Sequence, residues 1–212
     1  YAFVKTAFKN ERTALIAAML IALNPFGLHY VTEARMYTMG ACLALLAAYF
    51  LTKALHFQKD YYSLKINNIP NNPEEHKLKK HYTLNYLLFT VTASILMYTH
   101  YYLFFTVAAL CLYALTYHLY HYKDNLKRYA LLVSCYILLA VLYLPWLKTF
   151  LFQFKQVSGN YWIPPMDRWS IPSAIWEMFL GIGIDISKTS TQALILTATA
   201  FSLFFLYRFI KK

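Results

Sequence analysis

Two charged side chains in this sequence stand where chemistry is possible and bare packing does not require them. Glu33 and Arg35 lie in the stretch Asn24-Pro25-Phe26-Gly27-Leu28-His29-Tyr30-Val31-Thr32-Glu33-Ala34-Arg35-Met36-Tyr37, which joins two apolar segments. Pro25 cannot donate a backbone hydrogen bond and biases Asn24 away from helix, so the segment before it should end or kink there. Thr32 then serves as N-cap of the next helix, and Glu33 in its first turn suits the positive end of the helix dipole. Arg35 does not suit it, since a cation in that turn opposes the dipole by some tenths of a kcal/mol. Two explanations stand side by side: a local partner such as Glu33, or an anionic ligand held jointly by Arg35 and the free amides of the helix start.

A second candidate is His100, in Tyr98-Thr99-His100-Tyr101-Tyr102 between two apolar runs. Tyrosines match an interfacial belt. Anchoring alone does not call for an imidazole beside four hydroxyl-bearing side chains. An interfacial histidine bonded to water or a carbonyl is the plain alternative to a site residue. The carboxylates Asp167, Glu177 and Asp185 are expected to be solvated loop charges, with Asp185 the first to test if an acid is needed. Cys42, Cys111 and Cys135 have no pairing or ligand spacing, so neither a disulfide framework nor a metal site is expected.

The elements that must position these residues follow from composition. Of 212 residues, 59% are hydrophobic and 14% charged, against about 25% charged in soluble domains. The class is all-α, a polytopic membrane helical bundle. With roughly 20 apolar residues needed per span, about six spans are expected, at 13–28, 36–55, 83–99, 103–119, 129–146 and 191–209. Lipid offers no partner for backbone amides, so the spans must be helical. In that arrangement Arg35, Lys148, Lys155, Arg168 and Lys188 fall on one side and all other Lys and Arg on the opposite one. The basic side is cytoplasmic by the positive-inside rule. Both termini of the chain are therefore expected in the cytoplasm and the protein in the plasma membrane. The net charge of +11 is used by topology, which removes the argument for nucleic acid.

The chain is expected to form one membrane domain, 1–212, with a mobile cytoplasmic loop at 56–82 and an extracytoplasmic loop at 147–190. The latter is read as an amphipathic surface helix through Leu147, Phe150, Leu151 and Phe154. A Tyr161-Trp162-Ile163-Pro164-Pro165 corner follows, then a short helix from Ser170 or Ser173 to Gly181.

The order of these pieces resembles a known family. Asn-Pro followed by Tyr30-Val31-Thr32-Glu33-Ala34-Arg35-Met36-Tyr37, an apolar helix, Tyr98-Thr99-His100-Tyr101 at a hairpin tip, Leu144-Pro145-Trp146 and the Tyr161 to Pro165 corner look like bacterial membrane glycosyltransferases of GT-C type. The family is the protein O-mannosyltransferase and aminoarabinose transferase superfamily, and the resemblance covers residues from about 10 to 190. It implies inverting transfer of a sugar from a polyprenyl-phosphate donor to a glycan, lipid or protein acceptor at the outer membrane face. Arg35, His100 and Tyr98 match positions that contact the donor phosphate, and Glu33, Tyr37 and Trp162 match positions that shape the site. The family's catalytic carboxylate lies in an acidic loop upstream of the helix matching 13–28. The chain is therefore expected to be N-terminally incomplete, and no residue of it is assigned as the base. No cofactor is assigned, and neither the sugar nor a divalent-metal requirement follows from the sequence. A transporter or flippase of lipid-linked sugars would also want Arg35 and an aromatic cavity, although no internal repeat of the transporter kind occurs.

Overall fold

The computed structural model describes residues 1–24, 27–28, 36–66, 73–100, 102–122, 126–159, 168, 170–180, 196 and 200. Every regular element among them is a helix. In order these are α1 (Ala2–Phe8), α2 (Glu11–Ala22), α3 (Tyr37–Ile66), α4 (Pro73–Thr99), α5 (Leu103–Tyr122), a 3-10 turn (Leu126–Tyr129), α6 (Ala130–Gly159) and α7 (Ser170–Leu180). The chain divides into two compact units, Tyr1–Ala18 with Arg35–Asn160 and Met19–Ala34 with Tyr161–Lys212.

Three of the described helices are long and apolar enough to cross a membrane: Tyr37–Lys65, Leu103–Tyr122 and Ala130–Gln156. No more than 28% of the apolar stretch of any of them is buried by the rest of the protein. Leu112, Ile137 and Leu144 are each at least 60% exposed. A water-soluble fold would hide such continuous apolar faces; lipid solvates them, and the chain is a membrane protein by this criterion.

The helix α4 falls short on apolarity for a physical reason. One face of it packs into the bundle, with Tyr86, Phe89, Ala93 and Leu96 fully buried, while Leu84, Leu87, Val91 and Ile95 on another face are 46–51% exposed. The face that its neighbours cover need not be apolar throughout, and Asn85, Thr90 and Thr92 lie buried there. Its polar side chains close locally instead: Thr90 and Thr92 donate to the carbonyls of Tyr86 and Leu88 at 2.9 and 2.6 Å, and Asn85 to His81 at 2.7 Å.

Four sequence expectations meet the structure differently. The stretch 13–28 is helical only to Ala22 in its first part. Twelve residues rise about 18 Å, short of the roughly 30 Å hydrocarbon core. The stop is where Pro25 requires it, and the Asn24 side chain accepts from the Gly27 amide at 2.8 Å. The loop reading of 56–82 is corrected, because α3 continues to Ile66 and α4 begins at Pro73. Pro73 and Glu74-Glu75 form a favourable helix start, and aromatic contacts tie the two extensions together. Phe57 stacks on His81 at 5.2 Å and Tyr61 meets Tyr82 at 5.3 Å.

The break after Trp146 is likewise corrected. Residues 147–157 are not a separate surface helix but the continuation of α6, with Pro145 inside it. Membrane helices tolerate an internal proline when neighbours re-satisfy the freed groups. Pro145 leaves the Val141 carbonyl without its helical donor, and one residue on the Tyr98 hydroxyl donates to the Leu142 carbonyl at 2.6 Å, tying this turn to α4. The short helix expected from Ser170 or Ser173 is α7, while 191–209 lies outside the described residues except for Leu196 and Ala200.

Candidate functional site

Within the first unit, the hairpin of α4 and α5 and the start of α3 meet at one end of the bundle. Gly40, one turn into α3, permits the approach. A Cβ there would stand 2.7 Å from Leu103 Cδ1 at the start of α5, closer than real side chains come. That contact brings Tyr37 to His100, with ring centroids 6.1 Å apart. Tyr102 also stacks on the imidazole, at 5.5 Å and 25°. Both tyrosines are more than a third exposed, so the imidazole is edged by aromatic rings that remain accessible.

His100 is ordered by its own turn. Its carbonyl accepts from the Leu103 amide at 2.9 Å, and its Nδ1 accepts from the Tyr102 amide at 3.3 Å. An Nδ1 that accepts is unprotonated, so the neutral ring carries its proton on Nε2. Burial holds the imidazole below its ordinary pKa. At neutral pH His100 is therefore a neutral hydrogen-bond donor through Nε2, not a cation.

Tyr98 faces a different neighbour. Its single hydroxyl proton goes to the Leu142 carbonyl, and its ring contacts Tyr143 and Trp146 at 5.9 and 5.6 Å. In this arrangement Tyr98 fastens α4 to α6. Glu33, Arg35 and Trp162, together with Asp167 and Asp185, lie outside the described residues; Glu177 sits half-buried in α7. The structure thus brings together Tyr37, His100 and Tyr102, with Tyr98 one step away on the α6 side.

Sequence reasoning missed the space beneath the tip. A groove of about 430 Å³ opens between α5 and α6, with wholly apolar walls that include Met97, Phe104, Cys111, Tyr136, Tyr143 and Leu147. Its tip end is marked by Phe104 and Tyr143, whose ring centroids are 6.2 Å apart, and Tyr143 is the ring that Tyr98 touches. Farther along, the Tyr136 hydroxyl donates to the Cys111 carbonyl and joins α5 to α6. Tyr143 is buried and its hydroxyl has no hydrogen-bond partner. The only sequence signal was the Leu144-Pro145-Trp146 motif, which flags the helix but not the cavity.

Among the described residues no three His, Cys, Asp or Glu side chains converge as a metal site would require. The chain matches no protein-family model, no curated protein and no solved structure. The functional reading therefore stands on the tip, the groove and the sequence resemblance.

Proposed function

We propose that this chain is part of a membrane glycosyltransferase that moves a sugar from a polyprenyl-phosphate donor to an envelope glycan, lipid or protein acceptor. The reaction belongs at the outer face of the plasma membrane, with both termini of this chain in the cytoplasm. One observation supports the reading best: the polar, ring-lined tip around His100 sits at the end of an apolar groove between two lipid-exposed helices. A substrate with a charged head and a long hydrocarbon tail needs both features side by side.

In an inverting transfer, the acceptor oxygen attacks the anomeric carbon from the face opposite the phosphate. The bond from that carbon to the phosphate oxygen breaks, and negative charge grows on the departing polyprenyl phosphate. Donors placed at that oxygen stabilise the transition state, because charge develops there only as the bond cleaves. His100 Nε2–H is one such donor in this proposal and Arg35 the other, with Tyr37 and Tyr102 holding the imidazole plane. The base that takes the acceptor proton is not assigned to a residue of this chain.

The test is transfer of a radiolabelled sugar from a synthetic polyprenyl phosphate in proteoliposomes of the full-length parent. Wild type should turn over, and Arg35→Ala should insert normally yet lose transfer. Normal turnover by that variant removes the donor-phosphate role. Movement of the labelled lipid between leaflets with no transfer to any acceptor would replace the enzyme reading with the flippase one.

A further inference from the structure

The bundle end away from the tip holds a cation that no described carboxylate neutralises. Arg128 belongs to the 3-10 turn between α5 and α6, and Gln58 Nε2 of α3 donates to its backbone carbonyl at 3.1 Å. Its guanidinium carbon lies 4.4 Å from the centre of the Tyr62 ring and 5.3 Å from that of Tyr122. No described carboxylate lies within ion-pair distance of it. Ring faces attract the charge but accept no N–H hydrogen bond of ordinary strength.

Two polar atoms in this same ring stack lack partners. Arg128 Nε is buried with no acceptor, and the Tyr122 hydroxyl has none either, although Tyr122 is only 5% exposed. Folded proteins leave few buried polar groups unsatisfied. A guanidinium donor beside a tyrosine hydroxyl is a donor set suited to a phosphate oxygen. Arg128 as a residue stays partly exposed, so a ligand can approach the guanidinium, and it would reach the enclosed Nε and Tyr122 hydroxyl as the side chains around them part.

Depth in the bilayer identifies the kind of phosphate. At about 1.5 Å per residue, Tyr62 lies about 38 Å along α3 from Tyr37. Hydrocarbon occupies about 30 Å of a bilayer and the headgroups bring it to about 40–45 Å. With the tip at one interface, the Tyr62–Arg128–Tyr122 stack falls in the headgroup layer of the other. Lys59, Lys65, Lys77, Lys79 and Lys80 on the adjoining ends of α3 and α4 outnumber Asp60, Glu74 and Glu75 there, which draws anions to this end.

We propose that Arg128, with the Tyr122 hydroxyl, forms a binding site for a phosphate group, supplied by an anionic phospholipid of the leaflet opposite the tip. The proposal rests on the membrane reading and not on sugar transfer. In nanodiscs of phosphatidylcholine with increasing phosphatidylglycerol, the wild-type chain should gain thermal stability in a saturable way. Arg128→Ala should abolish that gain, and Tyr122→Phe should weaken the apparent affinity by about tenfold or less, the size expected for one hydrogen bond. Arg128→Lys, which keeps the charge, should retain part of the gain and guards against a folding defect in the alanine variant. Destabilisation by Arg128→Ala that is the same in both lipids overturns the site, as does an undiminished lipid response in Tyr122→Phe and Arg128→Lys alike with no loss in Arg128→Ala. An equal gain from inorganic phosphate in pure phosphatidylcholine overturns the lipid as its source.

Discussion

The two ends of the bundle each carry a histidine, and their surroundings could hardly differ more. His118 is fully buried, with Nδ1 against the Ala114 carbonyl at 2.8 Å and Nε2 facing the Tyr86 hydroxyl at 3.4 Å. Tyr86 in turn donates to Gln58 Oε1 at 2.7 Å, and Tyr129 donates to the His118 carbonyl at 3.0 Å. That network joins α3, α4, α5 and the 3-10 turn, and it leaves no room for a ligand. His100 has one nitrogen fixed by its own turn and stands among exposed tyrosines. The same side chain is a clamp where helices enclose it and a candidate ligand contact where it stands beside exposed rings at a hairpin tip.

The contrast can be broken most decisively through the proposed reaction. Arg35→Ala should lower sugar transfer by about 100-fold or more, the usual scale for a lost transition-state donor, with membrane insertion unchanged; a radiolabel transfer assay with a protease-protection control reads both. At the buried end the expected damage is to stability instead. Tyr86→Phe leaves Gln58 Oε1 without its donor and removes the hydroxyl that His118 Nε2 faces, so it should cost about 1–3 kcal/mol in unfolding measured in detergent while transfer per folded molecule stays near wild type. A large turnover loss without destabilisation would show the buried network to be part of the site.

A smaller effect should come from acid. The pKa of His100 is held below its ordinary value by burial, so between that value and the unfolded one the unfolded ring binds more protons. The contribution of its neutral form is therefore complete above about pH 6.5 and declines as pH falls below it. Protonation of Nδ1 also removes the acceptor of the Tyr102 amide. Hydrogen exchange at Tyr102, corrected for intrinsic rate, should quicken from pH 7 to pH 5, and His100→Gln should flatten that dependence. Smallest of all is Gly40→Ala. The clashing atom is the flexible end of Leu103, so the expected cost is below about 1 kcal/mol, whereas Gly40→Val should separate Tyr37 from His100 and lower transfer as well.

The expectations that came closest rest on short-range physics. Pro25 and Asn24 end α2 because a proline cannot continue a hydrogen-bond ladder, and any reader of the sequence can see it. The helix α7 was visible for the same reason, in its apolar face and the glycine after it. The 56–82 stretch misled because polar residues were read as loop, when Glu74 and Glu75 at a proline-led helix start carry α4 well beyond its apolar part. Pro145 misled in the opposite direction. In water it would break α6, but the Tyr98 hydroxyl from the neighbouring helix ties this turn to α4.

Composition and the placement of Lys and Arg, by themselves, determined that this protein is helical and lives in a membrane, since the cost of unpaired amides and unsolvated apolar faces acts on every residue whatever its partners. They also singled out His100 as an imidazole without an anchoring reason. Only the tertiary structure decided that His100 pairs with Tyr37 and Tyr102, that Tyr98 spends its proton on α6, that an apolar groove begins at the tip, and that Arg128 is left without a described carboxylate. Each of those depends on residues dozens of positions apart meeting across helix faces. One-dimensional periodicity says which face is apolar, but which neighbour that face meets is set by how the helices pack.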